Sequence, residues 1–257
     1  MIHPTAIVHE NAQVHDSAEI GPYAIIDEPV TLGADCVVGP HAHLTGHTTI
    51  GSGNRFHTGC VIGDAPQDVK YDGEPTRLIV GDGNTFREHV TIHRSNTLEE
   101  DTRIGSENMF MVNSHVGHNA IVGNRAILAN GALVGGHAII GDGAFLSGNA
   151  VVHQFCRVGS MAMMQGCSGV SLDLPPFTIV RGINGMCGLN SVGLKRAGFS
   201  SEQRLELKQA YRALFMGSDL MKDAIAKARE RFTGVLAEQF IDFIDSSGRG
   251  TCSHTKR

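Results

Sequence analysis

Apolar side chains recur along this chain at every sixth position. Ile2, Val8, Val14, Ile20, Ile26, Leu32, Val38, Leu44, Ile50, Phe56 and Ile62 form the first run. The phase is lost across 63–79, returns at Val80, Phe86 and Ile92, and breaks again over 93–102. A third run starts at Ile104 and Phe110 and continues through Val116, Val122, Leu128, Val134, Ile140 and Leu146 to Val170. Four residues after these positions the side chain is usually small, as at Ala6, Ala12, Ala18 and Ala24, and in steps of six from Ala120 to Ala150. An amphipathic helix repeats every 3.6 residues and a half-buried strand every two, so neither accounts for the pattern. A period of six predicts a solenoid of short strands and tight turns, with three hexads making one triangular coil. The aliphatic side chain fills the prism and the small one fits beside it. Gly and Asn serve the turns, where φ becomes positive. The 32 Gly, the three Tyr and the absence of Trp agree with a core built from many repeated small units.

Pro175 and Pro176 are expected to end the repeat. From Ser200 the spacing turns helical, with Leu205, Ala210 and Leu214 on one face, and Ser200 with Gln203 suits a capping box. The predicted fold is an all-β solenoid followed by an α-helical C-terminal region. The solenoid is placed at 1–190, with loop insertions near 63–79 and 93–102. The helical domain is placed at 191–257, with helices to about residue 246 and a loose tail, SSGRGTCSHTKR.

The net charge of −5 argues against a surface built for nucleic acid or an anionic membrane. No run of 18 apolar residues predicts a membrane span. MIHPTAIVHENAQ lacks the basic and apolar regions of a signal peptide. Six cysteines without a CxxC pair are expected to be reduced thiols in a cytoplasmic protein.

If one coil is 18 residues, the remainder on division by 18 gives position around the prism. His115, His118, His137 and His153 leave 7, 10, 11 and 9, so they converge on one edge in successive coils. His3, His9, His15, His41 and His43 read as ordinary surface residues. Four histidines on one edge point instead to a metal site or to a general base with supporting partners.

Several segments then carry a resemblance: QDVKYDGEPTRLIVGD (67–82), REHVTIHR (87–94), NSHVGHNAIVGNRAILAN (113–130), VHQFCRVGS (152–160), GCSGVSLDLPPF (166–177) and GLNSVGLKRAGFS (188–200). Across nearly its whole length the chain resembles the bacterial acyl-ACP:UDP-N-acetylglucosamine O-acyltransferases, which open lipid A synthesis. The resemblance implies a left-handed β-helix, where the usual crossover rule would suggest a right-handed one. It implies a homotrimer with the site between subunits. It also implies transfer of a 3-hydroxyacyl group from acyl carrier protein to the glucosamine 3-hydroxyl of UDP-N-acetylglucosamine. No cofactor and no metal are implied, because the acyl group arrives on the carrier's phosphopantetheine.

By the same resemblance His118 matches the general base, and Gly136 of VGGH matches the residue whose N–H faces the oxyanion. His115, His137 and His153, with Gln154 of VHQF, match groups that position sugar or acyl chain. Gln67, Asp68 and Lys70 match a loop that grips the sugar and its phosphates, and His93 lies near the same site. Asn190 and Arg196 match nucleotide contacts. Gly166 matches the position whose bulk limits acyl length, and glycine there implies a long chain. Lys195, Arg204, Lys208 and Arg212 suit a patch for the acidic carrier protein.

Two departures stand out. The family usually has Asp after the base, and Asn119 stands here. An amide oxygen can fix the imidazole tautomer but adds no charge, so a weaker base is expected unless another carboxylate approaches. A more nucleophilic 3-amino acceptor would also compensate. RGINGMCGLN (181–190) and Ala197 differ from the usual nucleotide-side sequence. Three other readings compete. A γ-type carbonic anhydrase would use His115, His118 and His137 on zinc, against which the KYDGEPT loop and the C-terminal helices argue. A non-catalytic paralogue would bind UDP-sugar only. A related N-acyltransferase would carry an extra N-terminal domain, whereas the hexads here begin at Ile2.

Overall fold

The computed structural model describes residues 1–255. Strands of mostly two residues stack into three parallel sheets that form the faces of a left-handed prism. Ile121 pairs with Ile139, Leu133 with Val151, and Phe145 with Met163, so each coil advances 18 residues. Each coil rises by about 4.8 Å, the spacing of hydrogen-bonded strands. In each pair of strand residues the second points inward. Ile26, Leu44, Ile62, Val116, Val134 and Leu128 are fully buried. Each such side chain contributes roughly 1.5–3 kcal/mol.

Inside the prism two ladders replace the usual large core. Phe56, Phe86 and Phe110 stack face to face with centroids 4.9 Å apart. Asn54, Asn84 and Asn108, all buried, pass amide hydrogen bonds from coil to coil at 2.9–3.0 Å. Buried amides are tolerated because every donor and acceptor has a partner in the next coil.

The two breaks in the hexad pattern are loops over 65–76 and 94–101. The first joins Val61–Asp64 on the first face to Arg77–Val80 on the second. The second joins Thr91–His93 to Thr102–Ile104, again from first face to second. Both therefore leave the prism at one corner, on successive coils. The next turn at that corner holds His118 and Asn119, and the one after it Gly136 and His137.

The prism does not stop at the two prolines. Thr178–Arg181 lie beyond them and still pair with Met163–Met164, because their N–H groups remain free to join the ladder. Gly185–Leu189 then returns antiparallel. Helices α1 (Ser191–Arg196), α2 (Ser201–Phe215), α3 (Met221–Arg231) and α4 (Val235–Asp245) follow, and α2 opens on the Ser200–Gln203 capping box.

The expectation of a loose tail is corrected. Cys252 is fully buried and Ser253–His254 pairs with Gly185–Met186. The Tyr211 hydroxyl meets His254 Nδ1 at 2.8 Å. The apolar side chain at Cys252 and an open edge on Gly185–Leu189 give the tail something to bury and something to pair with. Lys256 and Arg257 lie outside the described residues.

Candidate active site at one corner of the prism

His118 is half-buried at the corner turn, and its Nδ1 lies 2.9 Å from Asn119 Oδ1. The Asn119 amide has one orientation compatible with its neighbours. Its oxygen also receives the Asn96 backbone N–H at 3.0 Å, which only an acceptor can do. Its nitrogen faces Ser95 Oγ at 2.8 Å and Glu100 Oε2 at 3.3 Å, both acceptors toward it. An oxygen facing Nδ1 means that Nδ1 carries the proton. The lone pair is therefore on Nε2, the atom that must act if the ring is a base. Asn119 has φ of +58° and is 5 % exposed, and its own N–H donates to Thr102 Oγ1 at 2.7 Å. Asparagine tolerates this left-handed backbone better than most residues.

The Nε2 edge of His118 rests on Gly136. A Cβ added at Gly136 would lie 2.9 Å from both Cε1 and Nε2. The His118 and His137 rings meet edge to face at 5.3 Å, and Phe155 stacks on the other side of His137 at 4.6 Å. His115 lies one strand back, its Nδ1 bonded to Thr91 Oγ1 at 2.8 Å, with His93 edge-on at 4.9 Å.

Burial holds the His115 imidazole down to about 4. Burial likewise lowers His93 and, first among its causes, His137. All three are thus neutral where the base works, and serve as hydrogen-bonding and packing groups. The sign of the linkage follows. Above pH 6.5 His115 is neutral in folded and unfolded chains alike. Below it the unfolded chain takes up a proton that the folded chain refuses, so stability is lost progressively from pH 6.5 to about 4. Chemical denaturation of wild type and His115→Asn between pH 7.5 and 4 should show a smaller acid loss in the variant, by about 2 kcal/mol. Equal slopes would count against a buried neutral His115.

The loops close over His118. Asp68, half-buried, accepts from Asn96 Nδ2 at 2.7 Å. The Lys70 backbone N–H and the Asn96 amide hold its carboxyl below the ordinary value. Arg94 ties the two loops, reaching the Tyr71 hydroxyl at 3.0 Å and the Gly63 carbonyl at 2.9 Å. Asp101, nearly buried, pins the second loop to the second face through Arg77 and Arg103.

Gln67 and Lys70 project from the first loop with exposed side chains. His153 and Gln154 stand at the same corner one coil beyond His137, both exposed, with the His153 ring on the Gln154 carbonyl at 3.1 Å. Three residues lie elsewhere in the chain. Gly166 is at the corner between the third and first faces, where an added Cβ would touch only the Gly148 carbonyl, at 3.5 Å. Asn190 caps α1 and bonds the Met161 carbonyl. With Arg196 it lines a cavity of about 550 Å³ beside Phe145, Met161 and Ile179 on the third face. No group of three His, Cys, Asp or Glu side chains among the described residues is arranged to hold a metal ion, so the zinc reading finds no ligand set. Ser95, Asn96 and Glu100 were absent from the sequence reading, and lie in a stretch without periodicity.

Comparison with known proteins places this geometry. A protein of Anaeromyxobacter sp. (strain Fw109-5) named acyl-[acyl-carrier-protein]–UDP-N-acetylglucosamine O-acyltransferase is 47 % identical over 253 residues, covering 97 % of this chain and 98 % of the relative. The chain belongs to that acyltransferase family. A relative of the same name from Myxococcus xanthus is 42 % identical over 97 % of this chain and 98 % of its own length. The family model described as UDP-N-acetylglucosamine O-acyltransferase, domain 2, matches 173–252, and that for bacterial transferase hexapeptide repeats matches 101–136. The solved Francisella novicida UDP-N-acetylglucosamine acyltransferase superposes with a TM-score of 0.95 at 36 % identity, covering 100 % of this chain and 95 % of that one. The Campylobacter jejuni enzyme superposes at 0.93 and 32 %, covering 99 % and 100 %. The family's acyltransferase fold therefore runs through the docked tail as well as the prism.

Proposed function

We propose that this acyltransferase moves a 3-hydroxyacyl chain from acyl carrier protein to the 3-hydroxyl of UDP-N-acetylglucosamine in lipid A synthesis, with His118 as general base. The observation that carries the reading is the His118 ring itself. Its Nδ1 is locked on Asn119 and its Nε2 edge lies on Gly136. Nε2 takes the hydroxyl proton as the oxygen attacks the thioester carbonyl. The tetrahedral oxyanion faces the Gly136 N–H, a donor worth about 3 kcal/mol in such a place. Collapse breaks the C–S bond, and the imidazolium returns its proton to the phosphopantetheine sulfur. An ester and a free thiol result, with no cofactor consumed.

The site is completed by neighbouring subunits of a homotrimer. Asn190 and Arg196 sit on the third face, away from the His118 corner of their own chain. Ile121, Ile139, Leu133 and Val151 leave 40–44 % of their surface exposed on the other two faces, as a subunit contact requires. Asp68, Gln67 and Lys70 grip the sugar and its phosphates. Lys208 and Arg212 of α2 line a groove with Tyr211 and His254 that receives the acidic carrier protein. The reaction belongs in the cytoplasm, where its carrier-bound substrate is made.

The test is transfer from 3-hydroxyacyl carrier proteins of graded length to UDP-N-acetylglucosamine and to its 3-amino analogue. Mass spectrometry reads the product, and sedimentation should give three times the chain mass of 27.4 kDa. An O-acylated UDP-sugar is expected. Turnover confined to the amino analogue, or none, overturns the reading. Because a Cβ at Gly166 meets only an ordinary contact with the Gly148 carbonyl at 3.5 Å, Gly166→Met should fold normally and shift preference to shorter chains by about tenfold. An unchanged length profile would remove Gly166 from the acyl groove.

A further inference from the structure

Asn119 takes a place where a carboxylate would both orient the imidazole and stabilise its charged form. The amide does the first and not the second. Yet its own NH₂ is not idle. It donates to Glu100 Oε2 at 3.3 Å and to Ser95 Oγ at 2.8 Å. Ser95 is fully buried and its hydroxyl donates a hydrogen bond to the Thr97 carbonyl at 2.9 Å, which leaves its oxygen to accept from Asn119. The same Glu100 oxygen stands 3.6 Å from His137 Nδ1, and His137 packs edge-on against His118. Among the described residues Glu100 pairs with no lysine or arginine, and its one partner in the ion-pair range is the neutral His137. Its neighbour Asp101, by contrast, is held by two arginines. A free carboxylate held by the loop against the back of an amide is the charge that the amide lacks.

We propose that Glu100 is a positioning residue for His118: it holds the Asn119 amide with its oxygen toward Nδ1, and supplies through that amide and across His137 the negative charge that Asn119 does not carry. This rests on His118 being the base. Asp68 approaches from the first loop and adds negative charge from the substrate side, while His93, His115 and His137 are neutral. Among the described residues Glu100 is the carboxylate bonded to the Asn119 amide whose oxygen faces Nδ1. Its side chain is 63 % exposed, so salt should weaken its effect.

Two substitutions separate orientation from charge. Glu100→Gln keeps an oxygen for the Asn119 amide and removes the charge. Asn119→Asp places the charge directly. In the wild-type background that aspartate would face Glu100 across a former hydrogen bond, and the like charges oppose the gain. In the Glu100→Gln background the glutamine amide can donate to it.

The measurement is an NMR titration of ¹⁵N-histidine-labelled protein, with His118 assigned by loss of its signal in His118→Ala. It reads tautomer and pKa without any acyl transfer. Glu100→Gln should keep the Nδ1–H tautomer and lower the His118 pKa by about half a unit at low salt, and by less at 0.5 M salt. Asn119→Asp should raise it by about one unit more in the Glu100→Gln background than in wild type. In the transfer assay kcat should fall about fivefold in Glu100→Gln with KM for the UDP-sugar unchanged, and recover in the double variant. An unmoved His118 titration, or an Asn119→Asp effect equal in both backgrounds, overturns the proposal. Absence of turnover in wild type would count against the acyltransfer reading and leave the titration to decide this one.

Discussion

His118→Ala is expected to lower kcat for acyl transfer by about 10³-fold while leaving affinity for the UDP-sugar within severalfold of wild type. The size follows from the geometry. His118 Nε2 combines a fixed lone pair, a half-buried ring and a place against Gly136. His115 is half-buried, and burial holds its imidazole down to about 4. His137 cannot substitute, because its ring stays stacked on Phe155 and burial lowers its basicity. Removing the imidazole takes no hydrogen bond from the prism ladder, so the melting temperature should move by no more than a few degrees. Residual activity above a tenth of wild type would sink the assignment of His118 as base, whatever the binding data say.

Gly136→Ala should be nearly as damaging, by roughly 30- to 100-fold in kcat, and for a different reason. The backbone at Gly136 is not in the left-handed region, so alanine suits it conformationally. Its Cβ would meet only the His118 ring, at 2.9 Å from Cε1 and Nε2, where ordinary contacts begin near 3.5 Å. The ring must retreat by about half an ångström. It cannot do so without stretching the 2.9 Å bond to Asn119. The methyl group also stands where the acyl carbonyl would approach the Gly136 N–H. Thermal unfolding should be nearly unchanged, and KM for acyl carrier protein should rise along with the fall in kcat. A variant that keeps wild-type kcat would show that neither the ring position nor the close approach to Gly136 matters.

The two variants test separate halves of one arrangement, the proton acceptor and the surface on which it rests. If both act through the same transition state, combining them should cost little beyond His118→Ala alone, since no ring remains to displace.

Much of this architecture is written in the primary structure because the solenoid is nearly one-dimensional. Each coil contacts only its neighbours, so a residue number divided by 18 becomes an angle and a height. That arithmetic stacked His115, His118, His137 and His153 at one edge. It also placed the two breaks in the hexads, since an insertion must leave at the corner where the phase is lost. What has no period could not be read this way. Ser95, Asn96 and Glu100 lie in a loop whose path is set by Asp101 gripping Arg77 and Arg103, residues 24 and two positions away along the chain. The tail at 251–255 looked loose because it is short and polar, yet an open strand edge at Gly185–Leu189 and a buried site for Cys252 capture it.

The sequence by itself therefore determined the prism, its 18-residue coil, the corner that carries the histidines and the family. It did so because those features depend on local period and on motif residues. Only the tertiary structure decided which way the Asn119 amide faces, that the His118 ring carries its proton on Nδ1, that Gly136 lies under Nε2, and that Glu100 stands behind the amide. Those depend on side chains from non-periodic loops meeting across coils, and hydrogen-bond direction is settled by what each atom finds opposite it.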